Sequence, residues 1–304
     1  MTPVQLLCQQ LANGLTLGAI YALIALGYTM VYGIIGLINF AHGEVFMVGA
    51  YLGLTTLLAS HITHSTQGTF GWFLFALLIA AGGCSLLGLL IDRVAYRPLR
   101  KAPKLSALIT AIGVSFFLQN AVMLGYGASD RYVPPVFPAH PFGRGAVIVT
   151  PLQGIIFLVT LLLLVGLQRI VFSTSLGRAM RATAQDPLAA SLMGISIDRV
   201  IAATFAIGSA LGGVGGLLFG MTYSTINFHD GYLTGLKAFT AAVLGGIGNI
   251  PGAMVGGILL GLLEGLGAGY LSTQWKNVIA FTVLVVVLLI RPRGLLGERV
   301  AERA

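Results

Sequence analysis

Gly36-Leu37-Ile38-Asn39-Phe40-Ala41-His42-Gly43-Glu44 separates two apolar runs, 11–35 before it and 45–59 after it. The first run is longer than the ~20 apolar residues that a helix needs to cross a bilayer. The interruption places an amide, an imidazole and a carboxylate (Asn39, His42, Glu44) beside glycines. Polar groups packed this densely between membrane segments are costly, so they mark a candidate functional site. The plainer alternative is a tight turn at the membrane surface. A later stretch weighs against it. Ile226-Asn227-Phe228-His229-Asp230-Gly231 repeats Ile-Asn-Phe with a histidine and an acid alongside.

Composition sets the class around this stretch. The 304 residues are 57% hydrophobic and only 9% charged, with a mean hydropathy of +0.93. This implies an all-α polytopic membrane protein. Long continuous runs, rather than alternation, argue against a β-barrel. Cys8 and Cys84 lie in separate apolar segments and have no metal-ligand spacing, so they read as small core residues. The first basic residue is Arg93, so no charged leader precedes the first span, which is expected to be permanent. The net charge of +8 does not point to nucleic acid, because the basic residues cluster in short loops.

Further spans are expected at 72–91, 105–125, 150–168, 200–221 and 278–290. A polar loop is expected at 61–68. Pro134, Pro135, Pro138 and Pro141 make the loop 126–147 irregular. The apolar region 237–270 is broken by Gly245-Gly246-Ile247-Gly248-Asn249-Ile250-Pro251-Gly252 and is expected to fold as two short helices hinged there. The count is about 8–9 transmembrane helices, with broken helices, in one domain, 1–304.

Placing 92–104, 169–199 and 291–304 in the cytoplasm puts 13 of the 17 basic residues inside. The N-terminus is then outside and the C-terminus inside. Arg131, Arg144, Lys237 and Lys276 remain. On this topology 36–44 lies near the inner end of its spans and 224–231 near the outer end of span 200–221. The same motif on opposite sides is what an inverted-topology repeat gives.

Gly208, Gly212, Gly216 and Gly220 recur every fourth residue, and so do Gly257, Gly261, Gly265 and Gly269. Residues four apart share a helix face, so each set is a groove for close helix packing. Glu264 falls within the second stripe, either as a snorkelling acid at a span end or as a pathway residue.

The segment 169–199 is long for a bundle connection and carries four arginines. Residues 178–185 suit a short helix. Asp186-Pro187 fits the N-cap and first position of a second helix, and Gly194 fits its C-terminal cap. This is expected to be a cytoplasmic docking element, the alternative being an amphipathic helix on anionic lipid. No phosphate-binding loop, nucleophile elbow or metalloprotease motif occurs. An enzymatic role is therefore not expected, and the chain itself needs no cofactor or metal.

Leu188-Ala189-Ala190-Ser191-Leu192-Met193-Gly194 resembles the Glu-Ala-Ala-x-x-x-Gly loop through which bacterial ABC importer permeases contact their ATPases. It departs from that loop at Leu188, where glutamate is common. Asn13-Gly14-Leu15-Thr16-Leu17-Gly18-Ala19-Ile20-Tyr21, continuing through Gly33 and then 38–44, is similar to the N-terminal signature of LivH-type branched-chain amino acid permeases. Residues 177–195 and 244–252 look like further blocks of that family. The resemblance implies a bacterial inner-membrane, multi-pass permease subunit of an ATP-driven importer for branched-chain or related amino acids. It implies a second homologous permease (LivM-type), two cytoplasmic ATPases that use the ATP, and a periplasmic or lipid-anchored amino-acid-binding protein. Under it, Gly177, Arg178, Arg181, Asp186, Ala189, Ala190 and Gly194 are candidates for ATPase coupling. Asn39, His42, Glu44, Asn227, His229 and Asp230 are candidates for the translocation pathway, with Asn39 and Asn227 offering amide dipoles and His42, Glu44, His229 and Asp230 alternatively locking the helix breaks. The main alternative is an ion-gradient-driven secondary transporter using His42, Glu44, Asp230 and Glu264 as a relay, or a small-solute channel.

Overall fold

The computed structural model describes residues 2–59, 69–100, 102–137 and 148–297. The expected loop 61–68, Lys101, Pro138, Pro141, Arg144 and the end of the basic tail lie outside the described residues. The chain is an all-α polytopic membrane protein. Its helices are α1 (Pro3–Ile35), α2 (His42–Ala59), α3 (Thr69–Ile91), α4 (Lys104–Tyr126), α5 (Pro151–Ser173), α6 (Ser175–Gln185), α7 (Pro187–Leu192), α8 (Ile197–Tyr223), α9 (Asp230–Gly245), α10 (Ile250–Tyr270) and α11 (Lys276–Ile290). Two-residue strands, β1 (Arg131–Tyr132) and β2 (Thr225–Ile226), pair antiparallel.

Seven of the described helices are long and apolar enough to span a membrane: α1, α3, α4, α5, α8, α10 and α11. The expected count is 8–9; the shorter helices α2 and α9 are not among these seven. Helix α1 begins earlier than hydropathy alone indicates. Thr2 and Gln5 close a capping box before Pro3, satisfying backbone N–H groups that the first turn leaves free.

Small residues set the helix contacts. Along the antiparallel α1–α10 seam, Gly257 meets Ala22, Gly261 meets Gly18 and Gly265 meets Gly14. On α8, Gly216 lies on the Phe46 carbonyl of α2, while Gly213 packs on Ala80 and Cys84 of α3. Without water to drive association, such backbone approach supplies the van der Waals contact between helices. The central core gathers Ile20, Leu23, Ile24, Phe46, Met47, Tyr51 and Leu217, all fully buried.

The packing has a regular plan. Helix α1 lies along α10 as α8 lies along α3; α2 packs on α8 and α3, and α9 packs on α1 and α10.

One end of the bundle is basic. There Arg97 and Arg100 pair with Asp198, and Arg100 also pairs with Asp92 at 2.7 Å. The α9–α10 break sits at this end, and Gly246 and Gly248 adopt positive φ of 110° and 96°, where a side chain would be strained. Residues 291–297 fold back to cap α9, with Leu295 and Leu296 N–H groups donating to the Leu244 and Gly245 carbonyls at 2.9 Å each. Asn249 caps α10 by accepting from the Gly252 N–H at 2.9 Å.

Candidate functional site

Local sequence explains how α2 and α9 begin. Asn39 Oδ1 accepts the Ala41 N–H at 3.1 Å, and the Asn39 carbonyl accepts the His42 N–H at 3.0 Å. Asn227 Oδ1 accepts the His229 N–H at 3.0 Å, and the Asn227 carbonyl accepts the Asp230 N–H at 3.1 Å. Both stretches are therefore the same Asx turn opening a helix. The matched hydrogen bonds pair Asn39 with Asn227, His42 with Asp230 and Gly43 with Gly231.

The two turns do not lie at opposite ends of the bundle, as the sequence implies. They meet inside it. A Cβ on Gly43 would strike the Gly231 carbonyl and crowd Gly235, and a Cβ on Gly231 would strike Glu44 Oε2. His42 lies against Gly27, eight residues before the end of α1, and against Gly212, midway along α8. The chain after α1 therefore climbs back about 12 Å, at 1.5 Å per residue, before α2 starts. A surface turn at 36–44 is excluded, since Asn39, His42 and Glu44 are all buried.

The junction is buried and incompletely paired. Glu44 Oε1 accepts from Ser115 Oγ at 3.1 Å, while Oε2 faces the start of α9 without a hydrogen bond. Placed at two helix N-termini, that carboxylate meets the positive ends of both helix dipoles. Neither ring nitrogen of His42 has a hydrogen-bond partner. Its ring stands edge-on to Tyr28 at 4.8 Å, in a space kept open by Gly27 and Gly212. Asn39 Oδ1 also accepts from the Tyr96 hydroxyl at 3.0 Å. In the second turn, Asp230 reaches back to the Asn227 N–H at 2.7 Å, and His229 Nδ1 meets Gln119 Nε2 at 2.9 Å. Gly212→Ala should push the imidazole out of its seat, since the new methyl would sit 3.2 Å from its ring. The expected result is a lower melting temperature of the detergent-solubilised protein, with Gly212→Leu abolishing folded expression.

Glu264 is neither a snorkelling acid nor a free relay group. It is fully buried and forms an ion pair with Lys237 of α9, and it accepts from the Tyr21 hydroxyl at 2.6 Å. Lys237, 27 residues away in sequence, is left over by the count of cytoplasmic charges, and this buried pair accounts for it.

A second feature eluded the sequence. A cavity of about 350 Å³ opens at the end opposite the basic face, between α1, α5, α8, α10 and α11. Its polar lining is Gln10, Asn13, Thr16, Gln153, Thr273 and Lys276, with Thr222 and Tyr223 from α8. Gln10, Asn13 and Thr16 follow one another at about one turn along α1, a spacing that marks a polar stripe once Pro3 is known to start the helix. None of Asn39, His42, Glu44, Asn227, His229 or Asp230 lines it.

At the basic end, α6 and α7 form the helical elements expected in 169–199. Asp186 Oδ1 accepts the Leu188 and Ala189 N–H groups at 2.9 and 3.1 Å, and Gly194 adopts a positive φ of 84°. The candidate residues here divide by environment. Gly177, where a Cβ would collide with the Val171 carbonyl, seats α6 on α5, and Arg181 donates to that same carbonyl. Ala190 is buried, whereas Arg178, Ala189 and Gly194 are exposed. Exposed apolar side chains join them: Leu188, Leu192 and Met193 are 72%, 81% and 84% exposed.

Residues 10–288 match the family described as branched-chain amino acid transport system / permease component. The chain is 49% identical over 306 residues to the high-affinity branched-chain amino acid transport system permease protein LivH of Escherichia coli (strain K12), covering 97% of both chains. It is equally similar, 49% over 306 residues and 97% of both chains, to permease protein BraD of the same kind of system in Pseudomonas aeruginosa. It is 27% identical over 305 residues to LivM of Escherichia coli (strain K12), covering 92% of this chain and 68% of that one. No solved structure matches. The chain, a multi-pass inner-membrane protein, belongs to the branched-chain amino acid transport permease family.

Proposed function

We propose that this chain is the membrane-spanning permease subunit of an ATP-driven importer for branched-chain or related amino acids. It forms half of the pathway, beside a LivM-type permease, and takes solute from a periplasmic or lipid-anchored binding protein. Two cytoplasmic ATPases supply the energy. The observation that carries this reading is the α6–α7 unit. Its cap, its glycine seat and its buried Ala190 hold it rigidly, yet it presents Leu188, Leu192 and Met193 outward at the basic end. Apolar side chains so exposed at an aqueous end call for a protein partner. Motion of that partner would pass through Gly177 and Arg181 into α5 and tilt the bundle as a rigid body.

The positive-inside rule supports placing this end in the cytoplasm, which puts the N-terminus outside. The matched Asx turns, the Gly43–Gly231 contact between equivalent residues and the exchanged packing of α1–α4 and α8–α11 support an inverted repeat with its axis near that contact. Asn39, His42, Glu44, Asn227, His229 and Asp230 act as the lock of the junction, and the glycine stripes serve as packing faces. The solute route runs beside them.

Replacing Leu192 and Met193 together by glutamate tests the docking claim. Both are surface residues, so the fold should persist. ATP-dependent uptake by the assembled transporter should fall at least tenfold, and less ATPase should co-purify. Normal uptake and normal ATPase recovery would remove α7 from the coupling interface.

A further inference from the structure

We propose that the cavity at the end opposite the basic face holds one free amino acid as a zwitterion, with its carboxylate on Lys276 and its ammonium among the oxygens of Thr16, Thr222 and Gln10. This rests on the transport function above and names where the solute dwells within this chain. The volume of about 350 Å³ falls at the low end of the ~300–1,000 Å³ range of small-molecule sites. It suits a single small solute.

The hydrogen-bond inventory sorts the lining into two halves. Thr16 donates its hydroxyl hydrogen to the Ala12 carbonyl at 2.9 Å, and Thr222 donates to the Leu218 carbonyl at 2.7 Å. What each threonine keeps for the cavity is oxygen lone pairs, which suit an ammonium. Lys276 is the one charged residue of the lining and takes part in none of the ion pairs among the described residues. An anionic group is what it lacks. Asn13 Oδ1 already accepts from Gln9 and from Gln153, at 3.2 and 3.3 Å, so its amide N–H groups remain for the carboxylate. Leu17, Gly265 and Ala268 supply the apolar patch for an aliphatic side chain.

The cavity also has a defined floor. Tyr21 stands one helical turn beyond Leu17, and Glu264 immediately precedes Gly265. With Lys237 they form the buried ion-pair cluster. These groups satisfy one another, so they close the cavity toward the bundle centre without competing for the solute. A site built from one cation and neutral dipoles holds a zwitterion loosely, as a transit site must.

The test uses the complete transporter, with its partner subunits and binding protein, in proteoliposomes supplied with L-leucine. Ala268→Phe fills the cavity, and Lys276→Gln removes its charge; both positions are only partly buried, so the packing should survive. Co-purification of the partners verifies assembly. Each variant should take up L-leucine at least tenfold more slowly than wild type, Ala268→Phe because the solute is displaced and Lys276→Gln because its carboxylate loses a hydrogen bond to a charged group. Lys276→Arg should recover most of the rate. Arg131→Gln, outside the cavity, should leave uptake unchanged. Wild-type uptake by assembled Ala268→Phe would put the route elsewhere, and wild-type uptake by Lys276→Gln would remove the carboxylate contact; either overturns the proposal. Failure of the ATP-driven reading would show separately, as wild-type uptake that needs no ATP, and the variants would still be judged against that uptake.

Discussion

Replacing Glu264 by alanine should leave the Lys237 ammonium buried without its counter-charge and destabilise the protein by about 3–5 kcal/mol, the usual result of breaking a buried pair from one side. The site offers little relief. The Glu264 side chain is fully buried and that of Lys237 is only 11% exposed. The Tyr21 hydroxyl would also lose its acceptor. Lys237→Ala should be comparably severe, since it strands the carboxylate. Replacing both, as Lys237→Met with Glu264→Gln, should recover most of the loss, because buried pairs exchanged for well-packed neutral groups are often near neutral. Thermal melting of wild type, Lys237→Met, Glu264→Gln and the double variant in one detergent measures the coupling. Single variants as stable as wild type would show that the pair is not formed in the membrane. A stable double variant that nonetheless fails to transport would give the pair a role in the conformational cycle beyond stability.

The second large effect is expected at Gly43. Its hydrogen position faces the Gly231 carbonyl and the Gly235 backbone, so any side chain drives α2 and α9 apart. Gly43→Ala should cost about 1–3 kcal/mol as an overpacked contact, and Gly43→Leu should prevent assembly altogether. The reciprocal Gly231→Ala should behave like Gly43→Ala, as related positions on one axis would. By contrast Gly82→Ala and Gly113→Ala, where an added Cβ meets nothing within 4 Å, should be close to neutral. Folded yield and melting temperature across this set read the prediction directly. A Gly43→Leu variant that folds and transports would contradict the convergence of the two helix starts.

How much of this was legible in the sequence follows from the range of the interactions. Spans emerge from hydropathy because each helix closes its own backbone hydrogen bonds, so local composition suffices. The cap at Asp186, the terminating Gly194 and the Gly/Pro break at 245–252 are also local. The repeated Ile-Asn-Phe was visible, and both copies make the same turn. Their meeting was not visible. Topology counting assumes that a polar break marks a membrane surface, whereas 36–41 turns back into the bundle because Gly27 and Gly212 leave room there for His42. The Lys237–Glu264 pair was hidden for the same reason: two charges on different helices carry no mark of their contact. The cavity was missed because its polar groups come from helices far apart in sequence, and only Gln10 lies in the stretch before residue 11 that the Thr2–Gln5 capping box adds to the first helix.

The central claim is tested most directly by uptake of a radiolabelled branched-chain amino acid into proteoliposomes holding the co-purified complex. ATP and ion gradients are imposed independently. The account predicts uptake that requires ATP on the side of α6–α7, requires the binding protein on the other side, and is indifferent to a collapsed proton or sodium gradient. Uptake by this chain alone, driven by a gradient without ATP, would contradict it and would make His42, Glu44 and Asp230 the leading transport residues.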